Sequence, residues 1–129
     1  MLYMKNALFF SSLAFGLFLA SCGSSDGPEI TLNDPSNGEV YQRGTDMHFD
    51  MDVSDESGLA SYTIDIHADG LANGWEVNQT WPIEGTSINV HHHELVIPDE
   101  VDPGEYHFEV IATDTDGNSS DVHVDIQIQ

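Results

Sequence analysis

A chain of 129 residues with 23 Asp+Glu, 2 Lys+Arg and a formal net charge of -21 has room for one domain and too few bases to neutralise a phosphate backbone, which excludes a nucleic-acid partner. Lys5 and Arg43 cannot form a polybasic membrane patch either, so cations, basic surfaces and water are the electrostatically favoured partners. The single cysteine excludes an internal disulfide framework and a Cys-rich zinc cluster.

The chain begins with a positive Lys5, followed by the uncharged run ALFFSSLAFGLFLA from Ala7 to Ala20. Its length and flanks predict a signal-peptide core; a membrane span needs about 20 apolar residues. Leu19-Ala20-Ser21-Cys22 closes the run and resembles the lipobox of bacterial lipoproteins. That resemblance implies cleavage before Cys22 and a diacylglycerol on its thiol. Residues 1–21 then read as a lipoprotein signal peptide and 22–28 as the acylated cysteine with a flexible tether, Gly23-Ser24-Ser25-Asp26-Gly27-Pro28. Residues 29–129 form the domain, which contains no thiol and one base, Arg43.

From Glu29 onward the apolar period is two, which predicts half-buried strands in an all-β domain. In chain order they are Glu29 to Asn33, Met47 to Val53, Tyr62 to His67, Trp75 to Ile83, Ser87 to Ile97, Tyr106 to Val110 and Val122 to Ile128. Turn clusters such as Asp34-Pro35-Ser36-Asn37-Gly38, Ala68-Asp69-Gly70 and Asp102-Pro103-Gly104 separate them. About seven strands of this kind predict an immunoglobulin-like antiparallel β-sandwich. That fold places the first, second, fifth and fourth strands in one sheet and the third, sixth and seventh in the other. Tyr106 stands at a tyrosine-corner position. The expected core is Phe49, Met51, Tyr62, Ile64, Ile66, Trp81, Ile88, Leu95, Ile97, Tyr106, Phe108, Val110, Val122, Val124 and Ile126.

Seven histidines are unusual beside so few other bases: His48, His67, His91, His92, His93, His107 and His123. Neutral imidazole is the commonest protein metal ligand. The third and sixth predicted strands are antiparallel neighbours, so His67 at the end of one and His107 at the start of the other are expected to meet on an outer face. Asp65 or Glu109 would supply a carboxylate. Adjacent strand residues point to opposite faces, so His91, His92 and His93 cannot all reach one ion from a regular strand. The apolar parity switches across them, from Ile88 and Val90 to Leu95 and Ile97, which predicts a bulge. The sharpest expectation is therefore one divalent ion held by His67, His107 and a histidine of the 91–93 segment. A competing placement sets His92 outward beside His48. Zinc is the first choice because histidine and carboxylate suit it, with copper or iron as alternatives. Such binding weakens as pH falls through about 6.5, where free imidazole protonates.

At the other pole, Asp55 and Glu56 share one end of the sandwich with Asp114, Asp116 and Asn118. Asp114-Thr115-Asp116-Gly117-Asn118 has some features of a calcium loop but lacks its remaining spacing and terminal Glu. Turn formation is the favoured reading, with no tight calcium ion at Asp55, Asp114 and Asp116.

Taken together, the lipobox, Asp55-Glu56-Ser57-Gly58-Leu59, Ile64-Asp65-Ile66-His67, the His91–His93 triplet, Gly104-Glu105-Tyr106-His107-Phe108 and Asp114-Thr115-Asp116-Gly117-Asn118-Ser119 resemble a family of small Gram-negative lipoproteins catalogued as a domain of unknown function with an immunoglobulin-like fold. The resemblance implies a lipid-anchored protein of the cell envelope, at the outer membrane, and a site shared by His67, the triplet and His107. It implies no activity. Neither a Gly-x-Ser-x-Gly elbow nor a phosphate-cradling Gly loop is present, and the domain has no thiol nucleophile. A non-enzymatic protein is expected: a metal-binding module, or a structural or adhesive domain whose acidic surface meets a basic partner.

Overall fold

The computed structural model describes residues 26–129, and the expected signal peptide and lipidated Cys22 lie outside the described residues. Eight strands form: β1 (Glu29–Asp34), β2 (Val40–Tyr41), β3 (Asp46–Ser54), β4 (Leu59–His67), β5 (Val77–Pro82), β6 (Ser87–Val96), β7 (Gly104–Asp114) and β8 (Ser119–Ile128). One sheet has the order β1-β3-β6 and the other β2-β8-β7-β4-β5. The period-two residues of β3, β4, β7 and β8 turn inward between the sheets, leaving His48, Asp50, Thr63, Asp65, His107, Glu109, His123 and Asp125 on the outer faces.

Two corrections to the expected topology follow. β2, two residues long, was not among the predicted strands; it pairs with β8 in parallel, so the sandwich is not wholly antiparallel. The Trp75–Ile83 region was expected beside the first, second and fifth strands, but its strand, β5, pairs with β4 in the other sheet. Cross-strand chemistry explains that choice. Trp81 lies opposite Tyr62 with ring centroids 5.0 Å apart and nearly parallel. Thr63 and Thr80 share a 2.7 Å hydroxyl contact, and the Asn78 amide donates to Asp65 at 2.7 Å. Such pairs are the unit from which sheets gain stability, and hairpin neighbours form them without a long crossover.

Phe49, Met51, Tyr62, Ile64, Ile66, Leu95, Ile97, Tyr106, Phe108, Val110 and Ile126 are buried as expected. Trp81, Ile88, Val122 and Val124 are only partly buried and pack against that core. Met47, Val53, Leu59, Trp75, Val101, Ala112 and Ile128 complete it. Tyr106 is fully buried, and its hydroxyl donates to the Asp102 carbonyl at 2.6 Å and accepts from the Trp75 N–H at 3.1 Å. One phenol thus ties the loop before β7 to the segment before β5.

Candidate metal centres on two outer faces

The β3–β6 ladder slips where the apolar parity switches. Phe49 lies opposite His92, yet Met47 lies opposite Leu95, so β6 spends one more residue than β3 over this stretch. The bulge leaves His92 and Leu95 inward while His91 and His93 face out beside His48. A triad results. His48, His91 and His93 each offer a ligand atom, all within 4.8 Å of one another. His48 Nε2 stands 3.1 Å from His91 Nδ1, and the His48 and His93 rings stack with centroids 4.4 Å apart.

Two carboxylates lie against these rings, Asp34 behind His48 and Asp50 beside His91. His48 Nδ1 contacts Asp34, which leaves Nε2 turned toward His91. A carboxylate on the far nitrogen is the usual way a ligand imidazole is oriented and made more basic. Asp50 Oδ2 lies 3.1 Å from His91 Nδ1. Hydrogen bonds from Asn33, His91 and Asn89 pull the Asp50 carboxyl down to about 2, so it is anionic at neutral pH.

His92 has a different role. Its ring packs 5.0 Å from Phe49 and 5.2 Å from Trp81, and neither ring nitrogen has a hydrogen-bond partner among the described residues. Burial lowers its pKa and keeps it neutral. It serves as an aromatic packing residue.

On the other sheet, His67 and His107 are directly opposed across β4 and β7, with ring centroids 5.3 Å apart. His67 Nδ1 is occupied by Asp65 Oδ1 at 2.6 Å. The group with ligand spacing is His107, His123 and Asp125, whose ligand atoms also lie within 4.8 Å of one another. His107 Nε2 faces Asp69 at 3.3 Å. The hydrogen bond to Asp125, aided by the charges of Asp125 and Asp69, raises the His107 pKa.

The structure therefore brings His67 and His107 together but does not bring His91, His92 or His93 to them. β6 belongs to the three-stranded sheet, and the sandwich core separates the two outer faces. The outward partners of His48 are His91 and His93, while His92 points in. His123 and Asp125 were missed as site residues although the β8 alternation had set both outward; what was lacking was the β7–β8 register, which puts Asp125 opposite His107.

At the acidic pole, Asp114 is buried and its Oδ1 accepts from the backbone N–H groups of Asp116 at 2.9 Å and Asn118 at 2.8 Å. Desolvation raises its pKa, but hydrogen bonds from Asn118 and Asp116 outweigh that and hold the carboxyl below its ordinary value. Asp55 Oδ1 accepts from the Ser57 N–H at 2.8 Å, and Gly117 adopts φ +87° to close the turn. These carboxylates shape turns.

Eight strands in two sheets packed around a common core, with histidines concentrated on both outer faces, define an immunoglobulin- or fibronectin-type-III-like β-sandwich. The chain is similar to a fibronectin(III)-like module of CbhA from Clostridium thermocellum, at 14% identity and a TM-score of 0.50 over 78% of this chain and 94% of that one. It is also similar to an AA10 lytic polysaccharide monooxygenase from Streptomyces lividans, at 11% identity and a TM-score of 0.49 over 71% of this chain and 59% of that one. A PKD domain of an M14-like peptidase from Thermoplasmatales archaeon SCGC AB-540-F20 is similar at 16% identity and a TM-score of 0.49, over 80% and 93% of the two chains. At 14% identity the likeness to the fibronectin(III)-like module shows the fold and nothing about activity. Residues 20–129 match the domain of unknown function DUF4625, and the chain belongs to that family. No curated protein sequence matches it.

Proposed function

We propose that this protein is a cell-envelope lipoprotein of a Gram-negative bacterium whose sandwich domain binds a divalent transition ion, zinc first, through outward-facing strand histidines. The observation that carries the reading is the convergence of His48, His91 and His93 on one face, with ligand atoms within 4.8 Å of one another. Three imidazoles with one open position match a donor set zinc takes in catalytic sites, and the anionic Asp50 lies beside His91. The net charge of -21 raises the local cation concentration around the domain. A binding module needs no nucleophile, and this fold supports binding and adhesion as readily as catalysis.

Zinc titration of the full chain, purified without a histidine tag and followed by the imidazole NMR signals of His48, His91 and His93, tests the site. The expected result is saturable shifts of all three. In His91→Ala/His93→Ala the affinity of this face should drop by more than about 100-fold, beyond what loss of a merely supporting residue costs. Unshifted imidazoles would leave the structural or adhesive reading, with the acidic surface meeting a basic partner, as the better one.

The anchoring part of the proposal is supported by Leu19-Ala20-Ser21-Cys22 after an uncharged apolar run. Two or more acyl chains hold a protein stably where one chain is marginal. Replacement Cys22→Ala should abolish incorporation of labelled fatty acid and leave the leader attached. Undiminished labelling of that variant would refute the lipoprotein assignment.

A further inference from the structure

The five-stranded sheet carries its own constellation on the opposite outer face. In the β7–β8 ladder His107 lies opposite Asp125 and Glu109 opposite His123, so the two histidines sit diagonally with the aspartate between them. His107 Nδ1 stands 2.7 Å from Asp125 Oδ1 and 3.2 Å from His123 Nε2. His123 Nε2 is 3.2 Å from the same Asp125 oxygen. The three atoms form a small triangle. Ligand atoms about 2.0–2.1 Å from a tetrahedral ion lie roughly 3.3 Å from one another, so this triangle is close to one face of such a shell.

Hydrogen bonding alone satisfies the triangle only in part. Asp125 can accept an N–H from both rings, but then two N–H groups confront each other at 3.2 Å. If one ring presents its lone pair instead, Asp125 loses that donor. One cation inside the triangle uses all three lone pairs at once.

We infer that His107, His123 and Asp125 bind a second divalent transition ion, independently of the His48, His91 and His93 face. Asp69, 3.3 Å from His107 Nε2, braces the ring from its far side, as carboxylates do behind metal-bound imidazoles. His67 flanks His107 at 5.3 Å, with its own Nδ1 held by Asp65. Two imidazoles and a carboxylate form a harder donor set than three imidazoles and leave a position for water or an exchangeable ligand. Because the two sites lie on different sheets, filling one does not consume a ligand of the other.

Counting zinc ions bound to the full, untagged chain by equilibrium dialysis and native mass spectrometry tests the inference. Two ions are expected on the unaltered protein, one on His107→Ala/His123→Ala and one on His91→Ala/His93→Ala. Asp125→Asn, which keeps the shape of the site, should weaken one of the two ions by at least about tenfold without changing the far-ultraviolet circular dichroism. A single ion on the unaltered protein that disappears in His91→Ala/His93→Ala overturns the second site and leaves the first standing. A single ion that disappears in His107→Ala/His123→Ala does the reverse. Two ions retained by both His107→Ala/His123→Ala and Asp125→Asn overturn the second site as well.

Discussion

Asp114 illustrates how much one side chain can organise. Its oxygens accept from the backbone N–H groups of Asp116 and Asn118, and the Asn118 amide adds a third contact at 3.3 Å. Because these bonds lower its pKa in the fold, the stability they contribute is fully present above the unfolded carboxyl's value of about 3.9, and is lost as pH falls through the lower folded value. Thermal melts of the unaltered protein should therefore drop below about pH 4. Asp114→Asn should melt lower at neutral pH and respond less steeply over that acid range. Equal melting temperatures at neutral pH with parallel acid slopes would show that the carboxylate contributes nothing. Sequence alone identified this segment as a turn, because Asp, Gly and Asn at these positions have local partners. It could not separate His92 from His91 and His93, because the difference between a packing ring and a ligand lies in which way the strand turns, and burial decided that.

Among the elements, β6 and β7 do most to place the histidines. The parity change between Val90 and Leu95 announced the irregularity in β6, since a strand must keep its apolar residues inward and an added residue is the way to change their phase. The observed slip opposite Met47 and Phe49 is that irregularity. β7 is held in place by the Tyr106 hydroxyl, which bridges the Asp102 carbonyl and the Trp75 N–H in the interior. Tyr106→Phe removes both bonds while keeping the ring, and leaves two backbone groups to find other partners. Chemical denaturation should report a loss of about 1–3 kcal/mol. A change smaller than about 0.5 kcal/mol would mean that the hydroxyl serves neither group. β5 is where the sequence reading failed. The alternation within Trp75–Ile83 is compatible with either sheet, and only the pairing of Trp81 with Tyr62 and of Thr80 with Thr63 selects one.

At the scale of the molecule, charge dominates. A net charge of -21 on one domain makes the folded state repel itself more than the expanded chain does. Raising sodium chloride shortens the Debye length from about 30 Å at 0.01 M to about 10 Å at 0.1 M, so the melting temperature, measured with a chelator present, should rise over that range. A flat or falling response would mean that the imidazole–carboxylate pairs on the outer faces offset the repulsion. The same charge makes both histidine clusters favourable places for a cation, since each lies beside carboxylates that salt screens only partly.

By itself the sequence determined the properties that depend on composition and on neighbours along the chain: the acidic character, the β class from period-two alternation, the turns, the tyrosine corner and the bulge in β6. The partnership of His67 with His107 was also legible, since it needs only the ends of two adjacent antiparallel strands. The tertiary structure alone decided which sheet receives β5, that His48 joins His91 and His93, and that His123 and Asp125 meet His107. Each of these depends on contacts between residues far apart in the chain. Register and sheet membership are set by the summed packing of the core, which no local pattern contains.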